Sequence, residues 1–390
     1  MLRVAVLKIS LSKLMYFVVY FEVIYISFYG LFSYVFPYSR FILTFILISL
    51  IFLVYLKSGF NISKITFTFI FFLYFLIGVY NFGLNRSLYG FYIFNIFIFS
   101  LMLNTEVLKK IFLEKMWFWL LIFLSNVLGV LYVDKFGASW VGVEQTTFGI
   151  SREVSKDWMV FEVFRNPGFT NSSVSVACIL SLSATILGRF LVDQRKFLSL
   201  ILLNSVLFYT LVLTTTKTAI FSSIFIFILL LLPFVVARVF LKILFFIIFF
   251  TTCFYTFFYR KLYSGSDSIF IRFYDMWPKI FDIFPNEYAY IIGSGYGGVG
   301  APSLEYNNYH PGDSFIVYMY AIFGISFIIL LFYYCVRILK NDFFSFNDKI
   351  FSLVFILILL SSYTYNVVEL PLYALFFGFF LKSIYANRVL

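Results

Sequence analysis

Long apolar runs broken by short clusters of charged or turn-forming residues set the rhythm of this chain. They lie near residues 14–36, 41–56, 65–83, 88–104, 116–133, 172–188, 197–213, 218–237, 239–258, 314–335, 350–366 and 368–386. A stretch such as SIFIFILLLLPFVVA at 223–237 shows no alternation of apolar and polar positions. It reads as a helix that satisfies its own backbone in lipid, and not as a strand of a β-barrel. The pattern predicts an all-α fold: a polytopic transmembrane helical bundle of about 12 spans, forming one integral membrane domain over residues 1–390. Two sizeable hydrophilic segments interrupt it, at about 134–171 and 259–313. The first apolar run is long and lacks a small-residue cleavage site, so it is expected to remain as the first span.

Composition strengthens this picture. The chain is 63% hydrophobic and 24% aromatic, with 12% charged residues and a mean hydropathy of +0.99, values that require lipid as solvent. Its net charge of +11 raises the question of nucleic acid, but no basic and aromatic module surrounds the charges, so no nucleic-acid partner is expected.

Sidedness explains the basic excess better. If Arg3, Lys8 and Lys13 are cytoplasmic, each later loop on that side is also basic. Those loops hold Lys57 and Lys64; Lys109, Lys110 and Lys115; Arg189, Arg195 and Lys196; Arg238 and Lys242; Arg337, Lys340 and Lys349; and Lys382 with Arg388. Together they carry 18 of the 29 basic residues, against only Glu106, Glu114, Asp193, Asp342 and Asp348. The positive-inside rule then puts both termini in the cytoplasm and both hydrophilic segments outside. Cys178, Cys253 and Cys335 fall within apolar runs, which supports neither a disulfide framework nor a thiolate metal site. No carboxylate cluster has cation-binding spacing, so no metal is expected, and no P-loop is present.

Charge at the outer ends of spans marks the candidate chemistry, because such groups are costly unless they face a protein cavity. Arg165 lies in RNPGFTNSS at 165–173, where Asn171 or Ser172 would cap the next helix beside free N–H groups suited to an anion. Lys217 follows three threonines at 214–216 whose hydroxyls suit phosphate oxygens. Arg272 lies in 266–285, where Phe270, Phe273, Met276, Trp277 and Ile280 recur at helical spacing, as in an amphipathic surface helix anchored by Trp277. GSGYGGVG at 293–300 lacks the strand and helix of a dinucleotide fingerprint. It reads as flexible backbone near a polyanion or sugar, with Gly295 at its centre. His310 is the only histidine and can accept a proton near neutral pH. Asp313 would cap the following helix or act in chemistry, and Glu369 at the last span needs a partner.

In order and context these elements resemble the O-antigen polymerase (Wzy) and O-antigen ligase superfamily of bacterial envelope glycosyltransferases. The resemblance covers roughly residues 160–375. It rests on Arg165-x-x-Gly168-Phe169 opening a span, Thr215-Thr216-Lys217-Thr218-Ala219 opening a later one, and then Arg272. It continues through the segment from Pro285 to Gly297, His310 with Asp313-Ser314-Phe315, and Glu369-Leu370-Pro371. It implies a polymerase that joins undecaprenyl-pyrophosphate-linked oligosaccharides at the outer face of the bacterial inner membrane, without a cofactor or nucleotide sugar. A chain-length regulator protein is an implied partner, and the product is an O-antigen or capsule. Carried over, Arg165, Lys217 and Arg272 would bind diphosphate, where relatives often carry Arg in place of Lys217. Gly295 and Glu369 would contact substrate, and His310 or Asp313 would deprotonate or orient the acceptor hydroxyl, with Arg272 assisting. A ligase using the same donor, and a polysaccharide flippase with about 12 spans, are the alternative readings.

Overall fold

The apolar runs fold as helices, the form in which a continuous apolar segment satisfies its own N–H and C=O groups. The computed structural model describes residues 11–58, 62–103, 115–157, 159–160, 163–258, 277–284, 287–303, 312–340 and 349–386. The helices are α1 (Leu11–Ser27), α2 (Tyr29–Val35), α3 (Ser39–Ser58), α4 (Ile62–Phe82), α5 (Leu84–Met102), α6 (Met116–Phe136) and α7 (Ser173–Asp193). They continue with α8 (Phe197–Leu213), α9 (Lys217–Leu231), α10 (Phe234–Phe258), α11 (Phe315–Phe323), α12 (Ile325–Lys340), α13 (Lys349–Ser362) and α14 (Pro371–Ala386). Short helical turns also occur at Trp277–Lys279, Ile280–Ile283, Ala289–Ile292 and Ala301–Ser303.

The class is all-α. Two small antiparallel hairpins sit between α6 and α7: β1 (Glu144–Thr147) with β2 (Ile150–Glu153), and β3 (Met159–Val160) with β4 (Val163–Phe164). Among the described residues, α6 and α7 are each long and apolar enough to cross a membrane. The pair α1 and α2 would supply a third span but is bent by 88° at its junction. Shorter apolar helices, including α8, α9 and α14, accompany them. These helices are compatible with a membrane protein, although their lengths alone do not establish the expected count of about 12 spans.

Several boundaries differ from the sequence pattern. The break expected near Arg238 falls at Pro233, which has no N–H to continue a helix, so Arg238 and Lys242 lie within α10. The run at 314–335 is divided at Gly324 into α11 and α12. The last helix begins at Pro371, a residue favoured at a first helical position, which leaves Glu369 in the preceding loop. Trp277, expected as an interfacial anchor, is buried in the core, and the rest of the predicted amphipathic helix lies mostly outside the described residues.

Helix α5 packs against α14 and α4, while α7 packs against α6, α8, α9 and α13. Trp119, Phe94, Phe99, Phe355, Phe376 and Tyr373 fill the space between them. One polar cluster interrupts this apolar interior. Arg40 of α3 donates to Glu22 of α1 at 2.6 Å, with both residues buried. The Arg40 guanidinium also lies 5.8 Å from the Tyr25 ring and 5.9 Å from that of Tyr92 on α5. Asn95, one turn along α5, donates to Thr44 Oγ1 at 3.0 Å.

The glycine-rich segment 293–300, expected as flexible backbone near a substrate, threads into the bundle. Gly295 is buried, its N–H donates to Ile322 O at 3.1 Å, and Ser294 N–H donates to Ala321 O at 2.8 Å. A Cβ on Gly295 would stand 2.3 Å from Gly78 N of α4. Its lack of a side chain therefore permits backbone-to-backbone packing at the α11–α12 break.

Candidate functional site

One end of the bundle gathers the starts of α3, α5, α7, α9, α11 and α14, and it is stitched together by specific contacts. Gly30 N–H at the start of α2 donates to Phe169 O at 2.9 Å, and Trp140 Nε1 donates to Gly168 O at 3.1 Å. Thr364 Oγ1 meets Thr218 Oγ1 at 2.9 Å, bringing the α13–α14 loop to the start of α9.

The β1–β2 hairpin lies across this end. Its two-residue loop, Phe148-Gly149, has positive φ at both positions, +53° and +79°, as the right-handed twist of the strands favours. A bulky Phe is unusual in that conformation. Its ring lies 5.9 Å from those of Phe41 on α3 and Tyr92 on α5, which holds the hairpin tip to the bundle. Ile150 is buried near Tyr89 and Ala301. The tail of the hairpin is fixed by Ser155 Oγ donating to Thr170 O at 2.8 Å and Lys156 N–H donating to Asn171 O at 3.0 Å.

Anchored at both ends, the hairpin carries Arg152 and Lys156 onto Glu369 and Asp313. Arg152 Nη1 donates to the Tyr89 hydroxyl, and its guanidinium lies 5.2 Å from the Tyr89 ring centre. Glu369 accepts from Ala301 N–H at 2.9 Å and interacts electrostatically with Arg152, Lys156 and Asp313. Lys156 in turn feels Arg152, Glu369, Asp313 and Glu153. Arg152, Lys156, Asp313 and Glu369 all remain half-buried, whereas Glu153 is exposed. Burial, reinforced by Arg152, pushes the Lys156 ammonium down to about 8, against the pull of the carboxylates. Burial raises the Glu369 carboxyl above the ordinary range, opposed by the Ala301 N–H and the two cations.

Asp313 and Glu369 are thus brought together. Asp313 is not the helix cap: Ser314 holds that position, with no side-chain capping bond. Arg165 is half-buried at the end of β4, beside Asn166, which donates to Val130 O at 2.8 Å. Ser172 caps α7 as expected, accepting from Ser175 N–H at 3.2 Å. Lys217 is exposed at the first position of α9 and stands outside the enclosed cluster. Of the three threonines before it, Thr214 and Thr216 donate their hydroxyl protons to backbone carbonyls, so they offer no free proton to a phosphate. Arg272 and His310 lie outside the described residues.

Sequence reasoning missed Arg152, Lys156 and Tyr89. The available signal was REVSK at 152–156, two cations with three residues between them in the hydrophilic segment 134–171. Among the described residues no three His, Cys, Asp or Glu side chains come together as a metal-ligand set. The cluster can donate hydrogen bonds from Arg152 and Lys156 and accept them at Asp313 and Glu369. Compared with known proteins, the chain matches no family model, no curated protein and no solved structure.

Proposed function

We propose that this chain is a polytopic membrane glycosyltransferase that joins lipid-diphosphate-linked glycan units at the outer face of a bacterial inner membrane, as a surface-polysaccharide polymerase does. About 12 spans with both termini cytoplasmic follow from the apolar runs and the positive-inside pattern. The observation that carries the reading is the enclosed cluster of Arg152, Lys156, Asp313 and Glu369. It is the meeting point of the hairpin, the glycine-rich segment, the start of α11 and the α13–α14 loop. Convergent and desolvated charge marks a functional site.

In the proposed reaction an acceptor sugar hydroxyl attacks the anomeric carbon of the donor. The bond from that carbon to the diphosphate oxygen breaks, and the electron pair leaves with the diphosphate. Asp313 or His310 takes the hydroxyl proton, and Arg165, Arg272 and Lys217 are the cations assigned to the leaving group, whose charge they would stabilise. Both proton acceptors flank the same short segment at the entrance to α11.

Gel analysis of surface polysaccharide from a strain deleted for this gene tests the reading. A polymerase deletion leaves glycan of one repeat unit attached to its carrier. Unattached polymer would indicate a ligase, and complete loss of periplasmic glycan would indicate a flippase; either result replaces the proposal.

A further inference from the structure

We infer that the side of the bundle formed by α7, α8 and α9 fits a thin bilayer and compresses the membrane around it, with lipid acyl chains as the partner of its exposed apolar face. The inference goes beyond the glycan-transfer reading but rests on its membrane-spanning part.

The three helices are held in register along their length. At the end next to the hairpin, Thr216 Oγ1 donates to Ser173 O at 3.4 Å, and midway Ser223 Oγ donates to Ser181 Oγ at 2.9 Å. At the far end Gly188 of α7 lies between Leu200 of α8 and Leu230 of α9, so closely that a Cβ there would stand 3.3 Å and 2.9 Å from their Cδ1 atoms. Polar residues mark both levels. Thr214 and Thr216 with the exposed Lys217 stand at the first, and Arg189 with the exposed Lys196 at the second.

Between these levels the apolar height is short. At about 1.5 Å per residue, the 17 residues of α8 rise about 25 Å and the 15 residues of α9 about 22 Å. The uncharged stretch of α7 from Ser173 to Gly188 rises about 24 Å. The apolar sequence after α9 runs on to Ala237, but the chain reverses at Pro233 and Phe240 packs back on Phe225 at 4.5 Å, so it adds little height. An ordinary hydrocarbon core is about 30 Å thick, which leaves a shortfall of about 5 Å or more, and any tilt of the helices enlarges it. On α6 the uncharged stretch from Met116 to Val133 rises about 27 Å, so the mismatch there is smaller. The short side is also the side that lipid reaches. Leu198, Ile201, Leu202 and Tyr209 on α8, with Phe221 and Ile228 on α9, are all exposed. Lys196 and Lys217 at the two ends of this face suit the phosphates of the two headgroup layers, and compression of the bilayer brings those layers to them.

The test uses the full chain in nanodiscs of phosphatidylcholine whose monounsaturated chains lengthen from myristoleoyl through palmitoleoyl and oleoyl to erucoyl. The thermal midpoint is expected to be highest in myristoleoyl or palmitoleoyl discs and to fall by several degrees toward erucoyl. Cryo-electron microscopy of the oleoyl discs locates the effect. The headgroup layers beside α8 and α9 are expected to lie about 5 Å closer together than at the disc rim, with a smaller narrowing beside α6. A midpoint that peaks in oleoyl or longer chains, or headgroup layers evenly spaced around the protein, would overturn the inference. So would a second copy of the chain seated on the α8–α9 face, which would make that face a dimer interface. Carbonate extraction of cell membranes decides the membrane reading separately. A chain released into the soluble fraction sinks that reading, whereas a chain retained in membranes but surrounded by a bilayer of ordinary thickness sinks this inference alone.

Discussion

The Glu369 carboxylate occupies the space that a side chain on Gly300 would need: a Cβ there would stand 2.2 Å from Glu369 Oε1. Gly300 also has φ of +72°, a conformation that costs other residues about 1 kcal/mol or more. The missing side chain thus allows Glu369 to reach Ala301 N–H. Gly300→Ala is expected to displace the carboxylate and shorten surface polysaccharide toward single repeat units, with modestly reduced thermal stability. Glu369→Gln keeps an acceptor for Ala301 N–H but removes the charge, so it should impair activity with little effect on stability. A gel of chain length beside a thermal-shift measurement separates the two. Normal chain lengths in both variants would remove Glu369 from the site.

Lys156 predicts a pH dependence with a definite sign. Its ammonium is pushed from the ordinary 10.5 down to about 8 by burial and by Arg152, against Glu369, Asp313 and Glu153. Below about 8 the folded and unfolded chains both hold the proton, whereas between there and the ordinary lysine range only the unfolded chain does. This group's contribution to stability therefore rises with pH across that window. Glycan transfer is expected to move oppositely, because loss of the ammonium leaves Arg152 as the one described cation opposing Glu369. Initial rates in proteoliposomes should fall as pH rises through about 8, and Lys156→Arg should remove that alkaline fall. An unchanged pH profile in the Arg variant would show that Lys156 does not set it.

The buried pair between Glu22 and Arg40 should matter chiefly to folding. Arg40→Met leaves Glu22 as an uncompensated buried carboxylate, and Glu22 Oε2 already has no hydrogen-bond partner among the described residues. Breaking such a pair costs about 3–5 kcal/mol, whereas replacing both partners with apolar residues is often close to neutral. Arg40→Met is therefore expected to lower the thermal midpoint in detergent, and Glu22→Met combined with Arg40→Met to recover much of the loss. Additive losses in the double variant would show that the two residues are not coupled.

What could be read from the chain divides along physical lines. Helix existence follows from apolar runs, and Ser172 at the start of α7 is a local signal, so both were legible. Glu369 announced its need for a partner because a carboxylate beside a span is expensive, but its partners come from residues 152, 156 and 301. No local rule links those positions. Glu22 lies inside the first apolar run and Arg40 just before the second, so no local pattern pairs them. The Phe148-Gly149 turn lacks the Asn-Gly or Asp-Gly pair that flags a tight hairpin. Without the hairpin, nothing in the sequence brings Arg152 to Tyr89. Burial of Trp277 and Gly295 likewise depends on long-range packing.

The packing role of Gly295 gives the last prediction. Its N–H bonds to the interrupted α11 carbonyl of Ile322, and its Cα faces the α4 backbone so closely that a Cβ would lie 2.3 Å from Gly78 N and 2.6 Å from Tyr74 O. Backbone atoms cannot move aside as a flexible side chain can, so Gly295→Ala must separate α4 from the α11–α12 break or distort one of them. Its φ of +77° adds strain to any side chain. The variant is expected to accumulate poorly and to unfold at lower temperature, with lost activity following from lost protein. A Gly295→Ala protein with wild-type abundance and thermal midpoint but no polymer synthesis would restore a direct role toward substrate. Normalising polysaccharide yield to the amount of folded protein, measured by fluorescence-detected size exclusion, decides between the two.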